Sequence, residues 1–136
     1  MNKEHTILII EDDPDIITTV QMMLEPEGFE IIEAMTGSEG VSRARLDKPD
    51  IILLDLMLEQ HDTGFTVAKT LKGDPVTRGI PIIMVSSVSE RTGFSFDQES
   101  DGHWMKTNDF LEKPYKREEI LKKIHEVLDA KNNITQ

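Results

Sequence analysis

Four short apolar runs in this chain each stop at a polar group, and that pattern leaves few folds open. The runs are Ile7-Leu8-Ile9-Ile10 before Glu11-Asp12-Asp13, Ile51-Ile52-Leu53-Leu54 before Asp55, Ile82-Ile83-Met84-Val85 before Ser86-Ser87, and Phe110-Leu111 before Lys113-Pro114. A strand buried on both faces reads as a continuous apolar run, and such strands belong to parallel sheets covered by helices. In open parallel sheets the working groups collect beyond the carboxyl ends of the strands. If these strands lie side by side and parallel, their ends gather several carboxylates, one or two hydroxyls and one ammonium. Asp55, a lone acid ending its run, is the group around which such a cluster is expected to form.

Helical signals separate the runs. Asp13-Pro14 supplies an N-cap followed by a proline at the first helical position. Ile16, Ile17, Val20, Met23 and Leu24 then mark one helical face, and Pro26 and Gly28 end it. Met22, Met23 and Met84 are assigned to the core. Phe29-Glu30-Ile31-Ile32 reads as another short strand. Thr36-Gly37-Ser38-Glu39 has the form of a capping box, continued by Val41, Ala44 and Leu46. A third helix is expected from about 64 to 73, with Phe65, Ala68 and Leu71 inward. The last, about 117 to 131, carries the clearest stripe: Ile120, Leu121, Ile124, Val127 and Leu128. Residues 88–109, where a fourth helix belongs, are interrupted by Gly93 and Gly102 and are assigned a short or distorted helix with long loops. Alternating β and α elements with short connections imply an α/β fold, a doubly wound parallel sheet with helices on both faces. One domain over 1–136 is expected, with its core at about 6–131 and a short polar tail at 132–136.

Composition narrows the function. There is no cysteine, so neither a disulfide framework nor a thiolate metal site is available. The net charge of −11 argues against direct nucleic-acid binding, which needs a basic face. The apolar runs fall far short of the roughly 20 residues of a membrane helix, and the first residues carry no signal-peptide pattern. A cytoplasmic location and no membrane contact are therefore expected.

Glu11-Asp12-Asp13, Asp55, Ser86 and Lys113-Pro114, in this order at successive strand ends, resemble the receiver domain of bacterial response regulators in two-component signal transduction. The resemblance covers essentially the whole chain. It implies a flavodoxin-like, five-stranded sheet in the order 2-1-3-4-5, as in stand-alone chemotaxis receivers. It also implies that Asp55 is the phosphoryl acceptor. A carboxylate is ionised at neutral pH and needs no general base to act as a nucleophile. By the same resemblance Asp12 and Asp55 bind Mg²⁺ (or another divalent cation such as Mn²⁺) directly, Glu11 binds it mainly through water, and the backbone carbonyl of Met57 is a further ligand. All-oxygen ligation suits Mg²⁺. Lys113 pairs with Asp55 and then with a phosphoryl oxygen, Ser86 holds another phosphoryl oxygen, and Phe110 occupies the switch aromatic position. The peptide before Pro114 is expected to be cis. Implied partners are a sensor histidine kinase or histidine phosphotransfer protein as donor, and a downstream protein target or phosphorelay as output. A homodimer through the face from the fourth-helix segment to the last helix is possible. No output domain is expected after the last helix.

Other readings stand beside these. Asp13 reads as an N-cap rather than a ligand. Phe110 suits a plain core position as well as a switch, Trp104 suits core packing as well as a distinctive output surface, and His103 reads as a loop residue. Glu59 stands where the family usually carries a proline, four positions past the acceptor, and the segment before Phe110 is longer than usual. Met57 and Val88 are apolar where polar side chains help position the hydrolytic water, so slow loss of phosphate is expected. An adaptor that never takes phosphate is the alternative function. The chain is not expected to be an enzyme beyond its own phosphorylation and dephosphorylation. The acids after the first strand would repel a nucleotide phosphate, and Met57 stands where an aspartyl phosphatase needs its second acid.

Overall fold

The computed structural model of the protein describes residues 5–56, 63–87 and 109–134. Five parallel strands form its sheet: β1 His5–Ile10, β2 Phe29–Ala34, β3 Ile51–Asp55, β4 Ile82–Ser87 and β5 Asp109–Lys113, in the order β2-β1-β3-β4-β5. Helices α1 (Pro14–Leu24), α2 (Gly37–Asp47), α3 (Thr63–Gly73) and α4 (Arg117–Ile134) cover it.

Both faces of the central strands are buried because the side-chain period of a strand is two. Ile7, Ile9, Leu53, Ile83 and Val85 join Ile17, Val20 and Leu24 of α1 and Ile120, Ile124, Val127 and Leu128 of α4 in one core layer. Leu8, Ile10, Ile52, Leu54 and Met84 join Ala44 of α2 and Val67, Ala68 and Leu71 of α3 in the other. This double layer is why the runs carry no polar alternation. Each fully buried Leu or Ile contributes about 1.5–3 kcal/mol.

The helix ends follow from local chemistry. Asp13 caps α1, its Oδ1 accepting the Asp15 N–H at 2.9 Å, with Pro14 next. Gly28, at φ 97°, closes the short 3-10 turn Glu25–Glu27 in the left-handed region that favours glycine. Thr36 Oγ1 accepts the Glu39 N–H at 3.1 Å, while the Glu39 carboxylate accepts the Met35 N–H at 2.9 Å, one residue before the cap.

Three expectations change. Met22 is 71% exposed and not core, because it lies off the Ile17–Val20–Leu24 face of α1. Leu46 is 79% exposed for the same reason: the inward face of α2 is Gly37, Gly40 and Ala44. The last helix continues to Ile134, so residues 132–134 belong to it rather than to a tail. No glycine or proline stands there to end it. Residues 88–108, with His103 and Trp104, lie outside the described residues, as does Glu59.

Candidate functional site

Strand register assembles the site. Ile10 pairs with Leu54 and Asp55 with Val85, so Glu11 leaves β1 at the level where Asp55 ends β3. The Glu11 N–H donates to Ala34 O at 3.0 Å, which ties the residue to the end of β2. Ser87 pairs with Lys113, which brings the end of β5 to the same edge.

Glu11 and Asp55 are buried, at 4% and 5% exposure, and Asp12 is exposed. One carboxylate oxygen from each lies within 4.8 Å of the others. Lys113 Nζ stands 3.5 Å from Asp55 Oδ1 and 3.9 Å from Glu11 Oε1. The Asp13 N–H donates to Glu11 Oε2 at 3.2 Å, so the residue that caps α1 also orients the Glu11 carboxylate. The Lys113-Pro114 peptide is cis.

The electrostatics favour a hard dication. Burial, and then the charge of Asp55, push the Glu11 carboxyl up from 4.5 to about 8, against the opposing pull of Lys113 and the Asp13 N–H. One ammonium is therefore too little positive charge for the pocket. A proton on Glu11 makes up the difference in the metal-free pocket, and an all-oxygen donor set of this kind is what Mg²⁺ accepts in its place, with waters completing its shell. Glu11, Asp12 and Asp55 fit that ion.

The structure thus brings together Glu11, Asp12, Asp55 and Lys113. Ser86 lies in β4 with its backbone opposite Glu112, and Phe110 in β5 opposite Met84. Met57 and Val88 lie outside the described residues. Two residues join the site that no sequence pattern marks. Tyr115 packs against the α1–α4 core layer. Burial, then the charges of Glu11 and Asp55, push its phenol up to about 12, so it stays protonated beside the pocket. Gly64 donates its N–H to Leu56 O at 3.1 Å, one residue past Asp55. An open groove of about 360 Å³ runs from Lys113, Pro114 and Tyr115 to Ile16, Thr19 and Met23 of α1.

A parallel 2-1-3-4-5 sheet with three carboxylates and a lysine gathered at its carboxyl edge defines a receiver-type α/β domain. The chain belongs to the response regulator receiver domain family, which matches residues 7–125. Phosphorylation on an aspartate is general to this family. The chain is 36% identical over 125 residues to the protein PilH of Pseudomonas aeruginosa, covering 90% of this chain and 96% of PilH. It is 35% identical to the DNA-binding regulator RpaA of Synechocystis, covering 96% of this chain but only 52% of RpaA. Among solved structures it resembles the receiver domain of the sensor histidine kinase PA1611 from P. aeruginosa, in which a magnesium ion is coordinated in the active-site cleft. That likeness has a TM-score of 0.75 at 25% identity and covers 92% of this chain and 98% of the other. No helix among the described residues is long and apolar enough to cross a membrane.

Proposed function

We propose that the protein is a receiver that accepts a phosphoryl group on Asp55 in a Mg²⁺-dependent reaction. The observation that carries this reading is the juxtaposition of Glu11, Asp12 and Asp55 oxygens within 4.8 Å, with Lys113 Nζ 3.5 Å from Asp55. The donor is a phosphohistidine on a sensor histidine kinase or histidine phosphotransfer protein. An Asp55 oxygen attacks phosphorus and the nitrogen–phosphorus bond breaks. The imidazole leaves with that electron pair and takes up a proton.

Asp55 is an anion attacking an anion. When bound, Mg²⁺ supplies positive charge between the two and clamps the transferring oxygens. Glu11, Asp12 and Asp55 would hold it, with the Met57 carbonyl. Lys113 is within reach of an oxygen of the new phosphoryl group, and Ser86 is assigned another. The added charge and acceptor oxygens draw on Ser86 and Lys113, Phe110 rearranges with them, and this rearrangement is the signal passed to a partner protein or relayed to another histidine. The groove beside Lys113 is the surface on which we place the donor. A cytoplasmic location fits the cysteine-free composition.

Incubation with acetyl phosphate and Mg²⁺, followed by intact mass, tests the reading. One phosphoryl group is expected on the wild type, and none after chelation or in Asp55→Asn. A wild type that stays unmodified would leave the phosphate-free adaptor as the function.

A further inference from the structure

Gly64 occupies the first turn of α3. Its φ is not in the left-handed region; among the described glycines only Gly28 is. Space, not conformation, is what position 64 needs. A Cβ there would lie 2.5 Å from Leu56 O, 2.6 Å from Asp55 O and 2.6 Å from Leu56 Cα. All three are backbone atoms, so no side chain can swing aside to relieve the clash.

Leu56 cannot yield either. Its N–H donates to Val85 O at 2.9 Å, its carbonyl accepts the Gly64 N–H at 3.1 Å, and its side chain is buried at 1% exposure. In sequence it joins the acceptor Asp55 to Met57, the assigned carbonyl ligand. We infer that Gly64 is a positioning residue: the close seat of α3 on the Asp55–Leu56 backbone sets the acceptor and the cation ligands at their working separation. The inference rests on the phosphoacceptor reading and adds to it a residue that touches neither cation nor phosphate.

Gly64→Ala tests it, beside two controls. Gly73→Ala makes the same change at the other end of α3, where a Cβ meets nothing within 4 Å. Leu128→Ala removes buried packing in the opposite core layer and lowers stability without approaching the site. Affinity for Mg²⁺ alone is read by titration calorimetry, phosphorylation by acetyl phosphate at limiting Mg²⁺, and folding by circular dichroism and urea melts. Gly64→Ala is expected to weaken Mg²⁺ binding about tenfold, the low end for loss of a support to metal ligands, and to slow phosphorylation by a similar factor. Both controls keep the wild-type Mg²⁺ affinity and phosphorylation rate, and Leu128→Ala alone lowers the urea midpoint. A Gly64→Ala protein that matches wild type, loses no more affinity than Leu128→Ala, or fails to fold at all overturns the positioning role; in the last case the glycine serves the fold and not the site. If the wild type itself takes no phosphate, the phosphoacceptor reading falls and this inference with it.

Discussion

Lys113 Nζ lies 3.5 Å from Asp55 Oδ1, although the two residues are 58 positions apart in the chain. β5 and β3 are separated by β4, and only their common carboxyl edge lets the lysine reach the acid. The same ammonium stands 3.9 Å from Glu11 Oε1, so one cation serves two buried carboxylates.

Lys113→Ala removes that cation. The metal-free protein is expected to lose about 1–3 kcal/mol, the usual cost of leaving a buried polar partner unsatisfied. Mg²⁺ binding should tighten, because no ammonium competes for the pocket, while phosphorylation by acetyl phosphate slows. Urea melts with chelator, calorimetric Mg²⁺ titration and intact mass separate the three effects. Weaker Mg²⁺ binding in the variant would contradict the competition between the two cations.

Stability should depend on pH through Glu11. Its carboxyl ionises near 8 in the folded chain and near its ordinary 4.5 when unfolded. Between these values the folded state holds a proton that the unfolded state has released, so stability falls as pH rises. This contribution is complete below about 4.5 and lost once pH passes about 8. Mg²⁺ displaces the same proton, so its affinity should rise across that window and saturating Mg²⁺ should flatten the slope. Melts of wild type and Glu11→Gln with chelator check this. Equal slopes in the two proteins would rule Glu11 out as the cause.

Asp13 and Asp12 are neighbours with different tasks. Asp13→Ala deletes an N-cap and should cost about 1 kcal/mol, with Mg²⁺ affinity nearly unchanged. Asp12→Ala should do the reverse, abolishing tight Mg²⁺ binding at little cost in stability. Parallel melts and titrations compare them. A collapse of Mg²⁺ affinity in Asp13→Ala would make it a ligand.

Phosphate should be lost slowly from Asp55, since Met57 and Val88 offer no polar group to the hydrolytic water. Met57→Asn should speed the loss about tenfold, still short of the 10²–10⁴ typical of a well-placed proton-transfer group. The decay of phosphorylated protein in Mg²⁺ buffer, followed by intact mass, measures both. Rapid decay of the wild type would defeat the prediction.

Much of this molecule is legible along the chain. Continuous apolar runs announce strands buried on both sides, and the acids and lysine that end them announce a charged edge. Asp13-Pro14 and Thr36–Glu39 mark helix starts because capping acts within a few residues. Met22 and Leu46 show where such reading stops. Leu46 sits in a weakly patterned helix and Met22 lies beside the marked face of α1, and only the packed sheet decides that both turn outward.

By itself, then, the sequence determined the elements and the chemistry at their ends: carboxylates just after β1 and at the end of β3, hydroxyls at the end of β4, an ammonium at the end of β5. The strand order was implied by family resemblance and not by periodicity. The pairing of Lys113 with Asp55 was implied in the same way; the tertiary structure alone decided that this lysine also reaches Glu11, that burial raises Glu11 to about 8, and that α3 sits close enough behind Asp55 to require a glycine at 64. Periodicity and capping act through neighbours in the chain. Charge interaction, desolvation and steric fit act through distance in space, and those distances exist only once the strands have paired.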